Sequence, residues 1–300
     1  MIHGIMNIRK EADFTSHDVV AKLRGILKQK KIGHTGTLDP EATGVLPICL
    51  GRGTKLCDML TDSNKEYKVT FRLGIETDTE DIWGNVLKET PVDLDCGICM
   101  KTIISFCGDY EQIPPMYSAR KVDGKKLYEL AREGKVIERK PKKVRILAIY
   151  DLDIQLPDIS MTVLCSKGTY IRSLCRDIGL KLGTGATMTS LERTCTSGFD
   201  IKDSITLSQV EEAVKNGTID QYIIPVDDMF QDEPKATAKK EFYKLLYNGN
   251  PLKEEHLKES NINKRKRLRI YDEEEHFIGI YEWKDGKKMF FPEKIFYEMN

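Results

Sequence analysis

A glycine-rich loop carrying one forward-placed carboxylate is the first place in this chain where residue types and spacing could do chemistry. Residues 33–44 read G-H-T-G-T-L-D-P-E-A-T-G and run into the apolar Val45-Leu46-Pro47. The glycines let the backbone approach a ligand closely, and Pro40 pushes Asp39 toward an extended conformation. Such a carboxylate could add to an electrophilic carbon or assist the cleavage of a bond beside it. The loop is not a phosphate cradle, because the G-x-x-x-x-G-K-[ST] spacing is absent. Taken alone, an aspartate ahead of proline is more often a turn residue than a nucleophile. The chain has 5 histidines. None stands at metal-ligand spacing near His34, so no metal is expected there. Cys96 and Cys99 form a C-x-x-C without a second pair at zinc-site spacing, and all 8 cysteines are read as reduced packing or surface residues.

The elements that must position this loop follow from periodicity. Val19, Val20, Leu23, Ile26 and Leu27 recur at helical spacing and predict a helix over 16–28, capped by Thr15 or Ser16. Tyr67, Val69, Phe71 and Leu73 alternate along a strand over 66–74. Further strands are expected over 144–150 and 161–165, and helices over 124–132 and 169–182. Strands and helices intermix without regular βαβ alternation. The predicted class is therefore α+β, with a mixed or antiparallel sheet. A polar stretch around Pro234 separates a large domain, residues 1–230, from a small β-rich one, residues 235–300. In the latter a helix over 239–247 precedes strands over 268–271, 277–283 and 288–291, with Asp285-Gly286 as a hairpin turn.

Composition bounds the function classes. Of 300 residues 40% are apolar, and 47 basic residues balance 47 acidic ones. That disfavours an indiscriminate polyanion binder but leaves room for an RNA enzyme with a local basic face. Candidates for such a face are Arg120, Lys121, Lys125 and Lys126, then Arg139, Lys140, Lys142 and Lys143, and the run 264–269. No apolar run is long enough to span a bilayer and no signal segment opens the chain, so a cytoplasmic protein with no membrane partner is expected.

The loop G-H-T-G-T-L-D-P-x-A-T-G-V-L resembles the signature of the TruB family of tRNA pseudouridine synthases. Other blocks follow in order: Lys65-Glu66-Tyr67, then Leu73-Gly74-Ile75-Glu76-Thr77-Asp78-Thr79-Glu80-Asp81, then the Q-I-P-P-M-Y-S-A-R-K-V-D-G run over 112–124. Ser166-Lys167-Gly168-Thr169-Tyr170-Ile171-Arg172-Ser173-Leu174 and Leu191-Glu192-Arg193-Thr194 complete the set. The likeness covers residues 1 to about 230, and the tail is more weakly similar to the PUA RNA-binding module. The resemblance implies a pseudouridine synthase fold and isomerisation of the T-loop uridine at tRNA position 55. It also implies base flipping, no cofactor, and a stand-alone monomer that acts on the tRNA T arm without guide RNA.

It implies roles for particular residues too. Asp39 is the catalytic carboxylate. Arg172 forks onto it, although on spacing alone Arg172 is an ordinary helix arginine in an ion pair. Tyr67 stacks on the flipped uracil and helps remove the C5 proton; otherwise it is a core tyrosine. His34 takes up the space of the flipped base. Gly36, Thr37, Tyr170, Leu191 and Lys10 bind substrate. Two departures stand out: residues 10–16 read K-E-A-D-F-T-S where the family carries K-P-x-G-x-[ST]-S, and Glu41 replaces an apolar residue. Two rivals share these motifs, namely a guide-RNA-dependent relative and a non-catalytic RNA-binding protein. Retention of Asp39, Tyr67 and Arg172 disfavours the second.

Overall fold

Nine strands form one large mixed sheet in the computed structural model. The structure describes all residues except 119, 123, 136, 261, 263–266 and 298–300, and omits the side chains of 121, 122, 126 and 132. The strands are β1 (Gly4–Lys10), β2 (Ile32–His34), β3 (Thr43–Leu50), β4 (Lys65–Leu73), β5 (Gly108–Gln112), β6 (Lys142–Gln155), β7 (Asp158–Cys165), β8 (Ala186–Thr196) and β9 (Phe199–Asp200). Their order is β1-β3-β8-β4-β7-β6-β5, with β2 also on β3 and β9 on β8. All of these pairings are antiparallel except that of β3 with β8. The expected α+β class and mixed sheet are therefore present.

Helices cover the sheet in two groups. Helix α1 (Ser16–Ile26) starts at a capping box: the Thr15 amide donates to Asp18 at 2.8 Å and the Asp18 amide donates back to Thr15 Oγ1 at 3.1 Å. It packs with helix α4 (Leu207–Lys215) onto β1 and β3, burying Val19, Val20, Leu23 and Val210 against Met6, Ile8, Leu46 and Ile48. Helices α2 (Cys96–Ile104) and α3 (Ile171–Leu182) instead bury Cys99, Ile103, Leu174 and Ile178 against Val69, Phe71, Met161 and Leu191 of β4, β7 and β8. Cys96 is exposed at the start of α2 while Cys99 lies in this core, so the C-x-x-C pair is split between surface and interior.

The second sheet runs β10 (Lys235–Thr237), β11 (Leu268–Tyr271), β12 (Phe277–Lys284) and β13 (Met289–Ile295), in that order, with the expected turn between β12 and β13. The expected helix over 239–247 is a 3₁₀ turn followed by α5 (Tyr243–Tyr247). This sheet has its own core of Ala236, Leu246, Leu252, Leu268, Ile270 and Phe290. It also shares one with the large sheet: Ile280 and Phe296 pack with Ile5, Val45, Leu56, Val226 and Phe230. The basic residues Lys264, Arg265 and Lys266 lie outside the described residues. Among the described residues no helix is long and apolar enough to cross a membrane.

Candidate active site

The large sheet opens at the junction of β3 and β8. These strands pair only through Thr43–Glu192 and Gly44–Arg193. The approach is so close that a Cβ on Gly44 would lie 2.2 Å from the Arg193 carbonyl oxygen, at a backbone φ of +104°. Glycine alone tolerates both. Beyond this point residues 35–42 bulge away as a loop. Further along, the same edge of β8 is taken by residues 80–82: Met188 donates to Glu80 O at 3.2 Å and Ile82 donates to Met188 O at 2.8 Å. A cleft thus opens between the loop bearing Asp39 and the turn bearing Asp81.

Arg172 spans this cleft. It is the second residue of α3 and is 5% exposed. Its Nε lies 3.0 Å from Asp39 Oδ2, its Nη1 donates to Thr79 O at 2.9 Å and stands 3.4 Å from Asp81 Oδ2, and its Nη2 donates to Tyr117 O at 2.8 Å. The guanidinium is thereby fixed from several directions, and the carboxylate it holds remains 42% exposed at the cleft. Asp81 accepts from Thr79 Oγ1 at 2.6 Å. Burial raises its carboxyl pKa, and Thr79 and Arg172 oppose that rise.

The loop around Asp39 is anchored from beneath. Leu38 is buried, and its amide donates to Ser16 Oγ at 3.0 Å. Lys10 is 1% exposed and donates to the carbonyls of Glu11, Pro40 and Ala42 at 2.9, 2.7 and 2.6 Å. Burial pulls its ammonium down to about 8. Its three donors hold the segment after Asp39, so the structure places Lys10 as a loop-holding residue. Arg193, also 1% exposed, donates from Nε to Val45 O at 2.8 Å and from Nη2 to Gly36 O at 3.2 Å, tying together both ends of the loop.

Tyr67 on β4 sits opposite Arg193 and is buried with Leu38 and Leu191 in one cluster. Burial raises the pKa of its phenol, and the neighbouring Arg193 guanidinium counters part of that rise. Leu191 pairs with Val69 one step along the same strands. Tyr170 is half-buried ahead of α3. Its amide donates to Gln112 Oε1 at 2.8 Å, and Gln112 Nε2 donates to its carbonyl at 3.0 Å. His34 ends β2, its ring edge-on to His17 at 5.2 Å. Its Nδ1 is buried without a hydrogen-bond partner. Burial, then His17 and Arg193, lower its pKa to about 4, so the imidazole is neutral near pH 7. Gly36 contributes its carbonyl to Arg193, and Thr37 is exposed on the loop. Of the basic candidates, Arg139 donates to Pro114 O at 3.1 Å and Lys125 stands 3.6 Å from Glu133, while Lys142 and Lys143 are exposed on β6. Among the described residues no cluster of three or more His, Cys, Asp or Glu side chains could hold a metal.

Asp81, Arg193 and Thr79 belong to the site but carry no signal in periodicity or spacing. Each stands within a recognised block, yet only the folded cleft reveals what it touches.

Residues 24–171 match the profile of the TruB family pseudouridylate synthase (N terminal domain), and residues 172–231 match the tRNA pseudouridylate synthase B C-terminal domain. The tRNA pseudouridine synthase B of Lachnoclostridium phytofermentans is 51% identical over 98% of this chain and 100% of its own length. That of Clostridium kluyveri is 48% identical over 92% of this chain and 94% of its own. Among solved structures, a Cbf5-Nop10-Gar1 complex matches with a TM-score of 0.72 at 25% identity, covering 98% of this chain and 85% of that chain. An H/ACA RNP bound to a substrate RNA containing 2'-deoxyuridine matches with a TM-score of 0.72 at 23% identity, over 99% and 86%, and shares the fold.

Proposed function

The chain belongs to the TruB family of pseudouridylate synthases, and we propose that it converts the T-loop uridine of tRNA to pseudouridine with Asp39 as the catalytic carboxylate. The observation that carries this reading is the buried Arg172 guanidinium held on a half-exposed loop carboxylate at 3.0 Å. The reaction breaks C1′–N1 and forms C1′–C5; a proton leaves C5 and one is gained at N1. It is redox-neutral and needs no external group donor. Asp39 attacks the ribose or the base, or assists glycosidic cleavage. Arg172 holds that carboxylate in position. Tyr67 and Leu191 form the apolar floor under the detached uracil, and Tyr67 helps remove the C5 proton. Tyr170 and Thr37 line the entry, and neutral His34 occupies the space vacated by the extruded base. Arg193, Lys10 and the Gly36 carbonyl keep the loop in place.

Residues 1–230 act as the catalytic domain and 235–300 as a PUA-like module that adds RNA contacts. The protein works in the cytoplasm as a monomer without guide RNA. Purified protein incubated with an unmodified tRNA transcript, without guide, tests this directly. Pseudouridine at the T-loop position is the expected product, and its absence with folded protein and folded tRNA overturns the reading.

A further inference from the structure

The turn opposite the catalytic loop carries two consecutive large apolar residues. Ile82 is 38% and Trp83 52% exposed, and Val86 and Leu87 beside them are more exposed still. The indole of Trp83 has no stacking, cation–π or hydrogen-bond partner among the described residues. The turn that presents it is nonetheless tightly built. Asp78 accepts from the Asn85 amide at 2.8 Å and from Asn85 Nδ2 at 2.9 Å. A Cβ on Gly84 would stand 2.2 Å from Thr79 Oγ1, so the turn closes on itself. The Trp83 backbone N–H also hydrogen-bonds Asp81, which in turn faces Arg172 and, through it, Asp39.

The placement across the cleft is defined by β8. The catalytic loop rejoins the sheet at Glu192, and residues 80–82 meet the same strand edge at Met188. Four residues of β8 separate the two attachment points, by about 13 Å of strand, and the Arg172 side chain bridges the carboxylates on the two sides. One side is the loop of Asp39; the other is the turn of residues 78–85 that carries the exposed Trp83.

From this we infer that Trp83 is a stacking platform for an unpaired base of the substrate RNA adjacent to the flipped uridine, and the inference rests on the function proposed above. A base whose neighbour has been extruded loses one stacking partner and exposes a π face. An indole at the cleft rim restores that contact, and aromatic stacking of this kind is tolerant of base identity. Charge points to the base rather than the phosphate. On the hairpin Glu76, Glu80 and Asp81 face Lys88, Arg176 and Arg172, and besides Lys88 it carries no lysine or arginine, so it offers little to hold a backbone phosphate. Because the turn is fastened to Arg172, the platform holds a fixed position relative to the reacting carbon.

Trp83 and Trp283 are the 2 tryptophans of the chain, so full-length protein with Trp283→Phe reports on Trp83 alone. Titrating it with an unmodified T-arm stem-loop should quench its emission, and an abasic substitution at one nucleotide flanking the target should abolish the quenching. Trp83→Ala should raise KM for the stem-loop about tenfold with kcat changed less than about twofold, and Trp83→Phe should recover most of the loss. Unchanged emission at saturating RNA, quenching that survives abasic substitution on both sides, or a KM unaffected by Trp83→Ala each overturns the inference. Failure of the unaltered protein to form pseudouridine in the stem-loop would instead overturn the functional reading, while the fluorescence result still decides whether Trp83 meets a base.

Discussion

The cleft and the C-terminal sheet use charge in opposite ways. Around the cleft, Lys10, Arg193 and Lys65 are 1%, 1% and 8% exposed. They donate to backbone carbonyls, and none of the three forms an ion pair among the described residues. Burial lowers the pKa of Lys65, like Lys10, to about 8. In the C-terminal sheet, Lys258–Glu273 at 3.3 Å, Lys235–Glu275 and Lys284–Glu282 are paired on the surface. An exposed pair is screened and fixes little. A buried cation bonded to carbonyls fixes the course of the main chain, because each lost bond leaves a desolvated oxygen unpaired. The cleft loop is thus held by its backbone, while the Asp39 carboxylate meets Arg172 and stays 42% exposed.

The largest expected effect breaks the comparison at its centre. Asp39→Asn should lower pseudouridine formation by at least about 10³-fold while RNA binding, followed by filter retention, stays near that of the parent. Next, Arg193→Met removes the donors to Gly36 and Val45. It should destabilise the fold by about 2–4 kcal/mol in urea titrations and slow single turnover, with Arg193→Lys recovering only part. Phe296→Ala should cost about 3 kcal/mol and lower the melting temperature of both sheets together. Two separate transitions would show that the shared core does not couple them. A smaller effect concerns His34. Its folded pKa, about 4, lies below the ordinary value of 6.5, so below pH 6.5 the unfolded chain binds the extra proton. The His34 contribution to stability is present above pH 6.5 and lost as pH falls toward 4. His34→Gln should flatten that part of the stability profile. Smallest of all, replacing Lys235 and Glu275 together by alanine should move the melting temperature by no more than about 2 °C.

How much of this was legible in the sequence depended on local periodicity. Strand β4 alternates buried and less buried residues along its length, and the stripe of α3 and the Asp285-Gly286 turn are equally local signals. Strands β1, β3 and β8 were not foreseen. β1 and β3 are buried on both faces, so no alternation survives, and β8 is broken by register shifts near Met188 and Arg193. The pairing of Asp39 with Arg172 was expected because a long motif carried both residues. The other partners of Arg172 were not: Thr79, Asp81 and Tyr117 come from two separate segments that only tertiary packing brings to one guanidinium. Lys10 was expected to bind substrate, and its three backbone carbonyl acceptors could not be read from its type. A separate unit over 235–300 was expected from the change in pattern at Pro234, whereas Ile280 and Phe296 share a core with Ile5 from the other end of the large sheet.

That last contact has a consequence for how the protein is made. Ile5 and Val45 leave the ribosome long before Phe296, which shares their core, is translated. At roughly 5–20 residues per second, synthesis leaves this apolar surface open for tens of seconds. During that interval β1 and β3 can pair, but the face they present to the tail stays greasy and available to chaperones. A ribosome that stalls before Phe296 is translated therefore holds a chain with Asp39, Tyr67 and Arg172 already made and the surface behind them still unsealed.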